Sequence, residues 1–513
     1  MAAVLAFRNT GQNPDVIEKE NIRERQLREA EAIFVKTRRR IWMVTLCFAM
    51  VFSVIGFRMV SLALTDPIEP KSNASYANIL AARSDILDRN GRVLATNIDT
   101  FSIYAHPHQI VDKPNTARAL AEIFPDIEAE KMLARFEGGQ KFIWIKDKIS
   151  PEEKQAVHDI GDPGLLFGPR EMRLYPNERT AAHILGGASF GEQGTHSAEV
   201  IGVAGVEKQF DDILRDPAQE GRPLELSLDL TVQAAMEDML FGGMQLMNAK
   251  GASAVLMKAK TGEIVAMASL PDFDPNKRPR PLVEGDQGDS PLFNRAVQGV
   301  YELGSALKIF SYAQALELGL VNPTTKIDTR GPLKWGRFKI RDFSDYGPSL
   351  SAEKTIVKSS NIGTARMAMM IGADRQKAFL DQLGFLKATD IEMIEGPTGR
   401  PQYPSNWSEI STMTISYGHG ISTSPVHLAA AYASVVNGGT LVRPTLLKQN
   451  TPELGPRIVS ESTSVAVRNS LRKVVTEGTA SFGEVEGYAV GGKTGTADKP
   501  NAQGGYHDDK VIA

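Results

Sequence analysis

The sequence predicts an α+β protein that starts with one transmembrane helix and continues into two exported domains. Three observations support this prediction: a long uncharged segment near the N-terminus, mixed short helices and strands after it, and long helical patterns flanked by strands in the second half of the chain. The 513 residues have room for about two to four domains of ordinary size.

The composition excludes several classes of function. Apolar residues make up 42% of the chain and charged residues 23%, which is typical of a folded protein. The net charge of -3 leaves no basic excess, so a nucleic-acid binder is not expected. A single cysteine, Cys47, excludes an intramolecular disulfide and a cysteine-based metal cage. The scattered histidines contain no H-E-x-x-H motif, so we expect no zinc hydrolase.

The charge pattern at the N-terminus predicts one membrane crossing and its direction. Residues 18–40 are highly charged and end in a basic cluster, and the uncharged run 41–57 follows, with Arg58 close to its end. Because basic residues stay on the cytoplasmic side, residues 1–40 are predicted to be a cytoplasmic tail and 41–64 the transmembrane helix. The alternatives are a cleaved signal peptide and a buried helix of a soluble protein.

Residues 65–223 are predicted to form a mixed α/β pedestal domain. A turn signal at Asp88–Gly91 lies between two strand-like segments and predicts a hairpin, and residues 116–136 have a helical pattern. We find no catalytic constellation in this region.

Residues 224–513 are predicted to form a second domain of helices packed on an antiparallel sheet. A strand and a helix are expected over 224–240, and a hairpin over 251–270 that turns at Lys260-Thr261-Gly262. Long helices are predicted over 305–320, 352–372 and 424–439, and a further strand over 488–492.

Ser305 and Lys308 are the first of three elements in this domain that could carry chemistry. They stand at i and i+3 of a helical pattern, so we expect the lysine amine within reach of the serine hydroxyl. A serine needs a base to take its proton, and a lysine can be that base when burial or a neighbouring cation keeps its amine neutral. The pair therefore predicts a nucleophile with its general base.

Two further elements follow along the chain. Ser359, Ser360 and Asn361 offer hydroxyls and an amide for proton relay and substrate binding. The third element comprises Lys493, Thr494, Gly495 and Thr496. It places a lysine, two hydroxyls and a glycine on a predicted strand suited to binding an extended peptide. Each element alone is common, and the Lys-Thr-Gly at 260–262 is expected to be only a turn. The three in this order are a strong signal of one catalytic unit.

The chain resembles the class B penicillin-binding proteins, D,D-transpeptidases that cross-link peptidoglycan. Besides the three elements, five supporting segments carry the resemblance: 88–95, 173–186, 202–214, 293–308 and 416–439. The S-S-N-I-G and K-T-G-T-A forms of the second and third elements, together with Trp407, favour the septal, cell-division (FtsI) type over the elongation type.

The resemblance implies a role for each motif residue. Ser305 would attack the carbonyl between two terminal D-alanines with Lys308 as general base, and Ser359 with Lys493 would pass a proton to the departing D-alanine. Substrate binding would fall to Asn361, Thr494, Gly495 and Thr496, and the backbone N–H groups of Ser305 and Thr496 would form the oxyanion hole. The resemblance implies no metal and no organic cofactor.

The resemblance also implies an architecture and a location. The transpeptidase domain would place helices around a five-stranded antiparallel sheet, and because the chain ends at Ala513, soon after Gly495, we expect the sequence to be C-terminally truncated. The protein would lie in the bacterial inner membrane, with a cytoplasmic N-terminus and a periplasmic catalytic domain.

The implied ligands are D-Ala-D-Ala stem peptides of peptidoglycan and β-lactams. A SEDS-type glycan polymerase and other division proteins are the implied partners, with no nucleic acid, and a D,D-carboxypeptidase side activity is compatible with the same site. Three alternatives are an elongation-type transpeptidase, a serine β-lactamase or β-lactam sensor, and a non-catalytic division scaffold. A class A β-lactamase needs a deacylating glutamate, which we do not recognise between Ser359 and Lys493.

Overall fold

The structure is a computed structural model, and it describes residues 14–64, 83–190, 200–500 and 506–513. These residues belong to two compact units, Met1–Leu80 and Ala81–Ala513.

The described part of the first unit is helix α1 (Pro14–Leu64). Its stretch Arg38–Met59 has a mean hydropathy of 1.9 and is long and apolar enough to cross a membrane. At 1.5 Å per residue, these 22 residues extend about 33 Å, close to the thickness of a bilayer core. Large apolar side chains such as Trp42 and Phe52 are exposed on this stretch, which suits contact with lipid. The charged residues that precede the stretch continue the same helix.

The second unit begins with alternating strands and short helices. In chain order these are β1 (Ile86–Leu87), β2 (Val93–Ala105), α2 (Lys113–Ile123), α3 (Ala129–Glu137), β3 (Ile143–Ile149), α4 (Pro151–Asp159), β4 (Leu165–Leu174), α5 (Ala182–Leu185), β5 (Gly187–Phe190), β6 (Val200–Ala204), α6 (Gly205–Gln209), α7 (Asp211–Leu214) and β7 (Leu224–Glu225). A five-stranded sheet runs β3–β2–β1–β7, with β4 also paired to β2, and β1 and β7 are its parallel pair. Helices α2, α3 and α4 contribute to an apolar core with this sheet.

The predicted hairpin at Asp88–Gly91 is confirmed. The Asp88 carboxylate accepts hydrogen bonds from the backbone N–H groups of Asn90 and Arg92 at 2.8 and 2.9 Å, the geometry of an Asx turn, and Gly91 has a φ of +81°. The same carboxylate accepts the Leu230 N–H at 3.1 Å. The turn therefore also caps the first helix of the following region.

Helices predominate after residue 229. The elements are α8 (Leu230–Leu246), β8 (Ala252–Met257), β9 (Ile264–Leu270), α9 (Lys308–Glu317), β10 (Lys326–Asp328), β11 (Leu333–Trp335), β12 (Phe338–Ile340), β13 (Ser349–Ser351), α10 (Ala352–Val357), α11 (Asn361–Ile371), α12 (Ala373–Gln382), α13 (Glu409–Ser416), α14 (Pro425–Val436), β14 (Thr440–Val442), β15 (Leu454–Arg457), α15 (Glu461–Thr476), β16 (Thr496–Pro500) and β17 (Tyr506–Ile512). Every residue of α9 from Lys308 to Ala315 is buried, so α9 is the central helix of this region.

The strands of this region form a different pattern from the expected five-stranded sheet. Among the described residues, β8–β9 and β16–β17 are separate two-stranded hairpins. A side-chain ion pair of 3.0 Å between Lys250 and Asp509 joins them, rather than a backbone ladder. The α+β organisation itself is confirmed, with helices around these hairpins.

Two local predictions were wrong. The helix expected over 352–372 is broken between α10 and α11, because Ser359 adopts a left-handed φ of +60°. The strand expected over 488–492 is not formed, because this segment bonds to helix α15 instead. Gly492 donates its N–H to the Leu471 carbonyl, and the Arg472 guanidinium donates to the Val490 carbonyl.

Candidate active site

Ser305 lies in one 3-10 turn, Gly304–Leu307, that leads directly into α9. Gly304 opens the turn at a φ of +52°, a conformation that favours glycine. Gly304, Ala306 and Leu307 are buried, whereas the Ser305 side chain is partly exposed. The turn therefore holds a rigid backbone and offers the serine hydroxyl to solvent.

Three glycines let distant segments press against this turn. A Cβ on Gly495 would lie 2.4 Å from the Leu303 carbonyl oxygen, and a Cβ on Gly304 would lie 2.5 Å from the Thr496 carbonyl oxygen. A Cβ on Gly418, in the SYGHG segment, would lie 1.9 Å from the Gly304 carbonyl oxygen. Side chains at these positions cannot be accommodated without movement, so the glycines bring the third element beside Ser305.

Lys308 is the first residue of α9, and none of its surface is exposed. Its Nζ atom donates to the Ser359 carbonyl at 2.5 Å and to the Ser359 Oγ at 3.1 Å. Burial, together with the nearby positive charge of Lys493, holds the pKa of Lys308 well below its usual range, and the Asp342 carboxylate opposes this shift. The geometry thus favours a neutral amine at the centre of the site.

The second element occupies the break between α10 and α11. Ser359 has the left-handed backbone, which costs about 1–2 kcal/mol for a residue with a Cβ. Ser360 then acts as the N-cap of α11, since its Oγ accepts the Gly363 N–H at 2.9 Å. In this conformation both oxygen atoms of Ser359 contact Lys308.

Asp342 supports the second element, and sequence analysis missed it. Its carboxylate accepts the Ser360 hydroxyl at 2.6 Å and the Ile362 N–H at 3.0 Å, both at the N-terminus of α11. Beside it, the Asn361 side-chain amide donates to the Arg341 carbonyl at 2.9 Å. The only sequence signal is a lone aspartate after a short strand, which is too common to indicate this contact.

The third element is partly buried beside the turn. Burial lowers the pKa of Lys493 to about 8, and its Nζ donates to the Thr494 carbonyl at 2.8 Å. The Thr494 hydroxyl lies 3.2 Å from the hydroxyl of Thr479, another residue that sequence analysis missed. No hydrogen bond joins Lys493 to Ser359 in the described part of the chain. Lys493 acts on the site through its charge.

The backbone of Thr496 is oriented by the β16–β17 ladder. Gly495 and Ala513 exchange both backbone hydrogen bonds, at 2.6 and 3.0 Å. The next pair, Thr496 and Ile512, is therefore a non-hydrogen-bonded pair, so the Thr496 N–H points away from β17. This donor is on the side of the strand that Gly304 approaches.

The Ser305 hydroxyl and the Lys308 amine form no hydrogen bond with each other in the structure. Among the described residues, the Ser305 Oγ has no hydrogen-bond partner, while the Lys308 amine contacts Ser359. A neutral amine has two N–H donors and one lone pair, and the two contacts with Ser359 use both donors. The lone pair is then available to a hydroxyl that approaches from Ser305, and such contacts often tighten only when substrate binds.

The described residues contain no group of three or more His, Cys, Asp or Glu side chains that could hold a metal ion.

Comparison with known proteins gives two family matches. The penicillin binding protein transpeptidase domain matches residues 252–513, and the penicillin-binding protein dimerisation domain matches residues 78–220. The chain belongs to the penicillin-binding protein transpeptidase family.

Individual relatives agree with this assignment. This penicillin-binding protein is 36% identical over 425 residues to the probable peptidoglycan D,D-transpeptidase FtsI of Caulobacter vibrioides, covering 82% of this chain and 69% of that protein. It is 27% identical to the peptidoglycan D,D-transpeptidase FtsI of Escherichia coli, covering 83% of this chain and 75% of that protein. Penicillin Binding Protein 2X from Streptococcus thermophilus has a similar fold, with a TM-score of 0.67, 23% identity, and coverage of 84% of this chain and 72% of that chain.

Proposed function

We propose that the protein is a peptidoglycan D,D-transpeptidase that forms an acyl-enzyme on Ser305, and that β-lactams acylate the same residue. The observation that carries this proposal is the fully buried Lys308, three residues after Ser305 at the start of α9, with both donors engaged by Ser359. Burial and the charge of Lys493 hold the pKa of this lysine well below its usual range, which favours a neutral, basic amine near a partly exposed hydroxyl.

In the acylation step, the Ser305 Oγ attacks the carbonyl carbon of the penultimate D-alanine. Its proton passes to the lone pair of Lys308 as the Oγ–C bond forms. The C–N bond to the terminal D-alanine then breaks, and the departing amine takes a proton from Lys308 by way of the Ser359 hydroxyl. The contact of 3.1 Å between Lys308 Nζ and Ser359 Oγ supports this relay. Lys493 contributes a positive charge that keeps Lys308 deprotonated before the attack.

Deacylation reverses the roles of the same groups. The amine of a neighbouring stem peptide attacks the ester carbonyl and loses a proton to Lys308. The C–O bond to Ser305 then breaks, the Ser305 Oγ takes that proton from Lys308, and the cross-link is formed. Water in place of this amine would give the D,D-carboxypeptidase side activity. A β-lactam forms the same ester, but its ring-opened leaving group stays attached and hinders attack by the acceptor amine.

Substrate binding falls to the residues around the turn. The backbone N–H groups of Ser305 and Thr496 are proposed as the oxyanion hole, supported by the outward direction of the Thr496 N–H and its closeness to Gly304. Thr494 and Thr496 would bind the terminal carboxylate. Gly495 would admit the substrate backbone, and Asn361 would hold the amide of the donor peptide.

Fluorescent-penicillin labelling tests the proposal on the full chain in detergent. The wild-type protein should form a stable covalent adduct, and Ser305→Ala should abolish it because the acceptor oxygen is missing. Ser311→Ala, a change of a buried serine one turn further along α9, is the matched control and should label normally. Labelling that persists in Ser305→Ala, or that decays rapidly in the wild type as in a β-lactamase, contradicts the proposal.

The remaining expectations concern organisation and partners. We propose a cytoplasmic tail over 1–40, a transmembrane helix over 41–64, a pedestal over 65–223 and a transpeptidase domain over 224–513, with the last two in the periplasm and α1 in the inner membrane. We propose that its setting is the division septum, with a SEDS-type glycan polymerase and other division proteins as its partners. The similarity to two FtsI proteins supports this setting.

Protease treatment of spheroplasts should remove the catalytic region and spare an N-terminal tag.

A further inference from the structure

The hairpin of β11 and β12 carries an unusual charge arrangement. Lys334 and Lys339 are directly opposite each other in its antiparallel register, and both are exposed. Like charges in this position destabilise a hairpin. Arg337 at the tip and Arg341 after the second strand add two more exposed cations. The face is therefore strongly positive at a cost to its own stability.

The nearby acids form no ion pair with these four cations in the described part of the chain. Asp342 is engaged by Ser360 and Ile362 at the start of α11, and Asp345 accepts the backbone N–H of Gly347 at 2.9 Å. Within the described part of the chain, none of the four cations forms an ion pair. The positive face thus remains available to an anion from outside the protein.

The opposite face of the hairpin anchors it and adds an aromatic edge. Leu333 and Ile340 belong to a small core cluster with Ile362 on α11, so the base of the hairpin is held in place. Towards the tip, Trp335 and Phe338 are paired across the strands but remain 39% and 47% exposed. Because side chains alternate between the two faces of a strand, these rings lie on the face away from Lys334 and Lys339.

The hairpin is directly connected to the candidate active site. The Arg341 carbonyl accepts a hydrogen bond from the side chain of Asn361, the proposed substrate-binding residue, at 2.9 Å. Anything bound along the hairpin therefore lies next to the second element. This position favours the polymer on which the site acts over an unrelated partner.

We propose that the β11–β12 hairpin is a docking surface for an anionic peptidoglycan strand, whose stem-peptide carboxylates meet Lys334 and Lys339. The inference rests on the proposed transpeptidase function, because it assigns a polymer-binding surface to that same site. It adds the claim that long strands bind outside the catalytic cleft, through a contact that a small β-lactam does not use.

The test compares polymer binding with acylation in the full chain. In Lys334→Glu/Lys339→Glu, the affinity for soluble uncross-linked glycan strands with intact stem peptides should fall about tenfold at low salt, and the dependence of affinity on salt should flatten. The rate of acylation by fluorescent penicillin should stay within about twofold of wild type, because the cleft is unchanged. Lys148→Glu/Lys260→Glu changes the net charge equally at two other exposed lysines and should behave as wild type.

Other outcomes separate the explanations. Unchanged strand affinity and salt dependence in the double variant overturn the docking surface. A parallel loss of strand binding and penicillin acylation shows that the hairpin only supports the cleft, which also overturns it. Loss of binding to anionic lipid vesicles with strand binding intact assigns the surface to a membrane instead. Failure of the proposed function is a distinct result, because it appears as continued labelling of Ser305→Ala, whatever the hairpin variants do.

Discussion

The chain contains the tripeptide Lys-Thr-Gly twice, and the two copies have different surroundings. Lys260 is exposed, and Gly262 sits at a φ of +78° in the tight turn between β8 and β9, where a Cβ would lie 1.9 Å from the Arg443 carbonyl oxygen. Lys493 is partly buried, and Gly495 presses on the Ser305 turn. The same three residues thus close a hairpin in one place and complete a candidate catalytic site in the other.

The difference shows that the third element acquires its chemistry from its neighbours. Burial lowers the pKa of Lys493 to about 8, and its charge is felt by Lys308. Thr261 hydrogen-bonds to Glu263 within its own turn, whereas Thr494 faces Thr479 from a distant segment. Matched substitutions in the two copies can therefore test which surroundings matter.

The largest contrast is expected for the lysines. Lys493→Ala should slow acylation by fluorescent penicillin about a hundredfold, because a charged group that acts directly on the base is removed. Lys260→Ala should leave the rate within about twofold. Equal rates in the two variants would remove the functional distinction between the copies. The measurement is the second-order rate of covalent labelling.

The glycines should separate stability from activity. Gly262→Ala and Gly495→Ala each place a Cβ against a carbonyl oxygen, so each should lower the free energy of unfolding by about 1–3 kcal/mol. Acylation should fall about tenfold in Gly495→Ala alone, since only that Cβ displaces the Ser305 turn. Thermal unfolding measures the loss of stability. The rate of labelling, measured below the melting temperature of both variants, measures the loss of activity. A labelling loss in Gly262→Ala would contradict the interpretation.

The pH dependence of acylation should shift in one copy only. The general base must be neutral, so the rate falls as pH drops through the pKa of Lys308 in the free protein. The positive charge of Lys493 lowers this pKa, and its removal in Lys493→Ala therefore raises it. We expect the acid limb of the residual activity to move to higher pH, with no shift in Lys260→Ala. A shift to lower pH would show that the sign of the coupling is wrong.

The smallest contrast concerns the threonine partners. Thr479→Val removes the hydroxyl that lies 3.2 Å from Thr494 and should slow acylation about threefold to fivefold, the effect of one ordinary hydrogen bond. Thr261→Val removes a contact of 3.2 Å with Glu263 and should leave the rate unchanged. If both variants acylate at the wild-type rate, Thr479 does not position Thr494.

Sequence reasoning predicted the elements of the site better than their geometry. Ser305 and Lys308 are at the start of a helix as expected, but the first turn is 3-10 and the lysine amine hydrogen-bonds to Ser359 rather than to the Ser305 hydroxyl. The break at Ser359 was missed because the start of α11 that follows it is held by Asp342, a residue beyond the local pattern. The misplaced strand over 488–492 has the same origin, since contacts with α15 override its local preference.

Properties that depend on neighbouring residues alone were readable from the amino-acid order. They are the apolar length near residues 41–57, the turn at Asp88–Gly91, and the order of Ser305, Ser359 and Lys493. Properties that depend on distance in space were not. The depressed pKa of Lys308, the orientation of the Thr496 N–H and the different surroundings of the two Lys-Thr-Gly copies arise only when α9 is enclosed. Desolvation and charge–charge interaction act through space, and the residues that exert them are far apart along the chain.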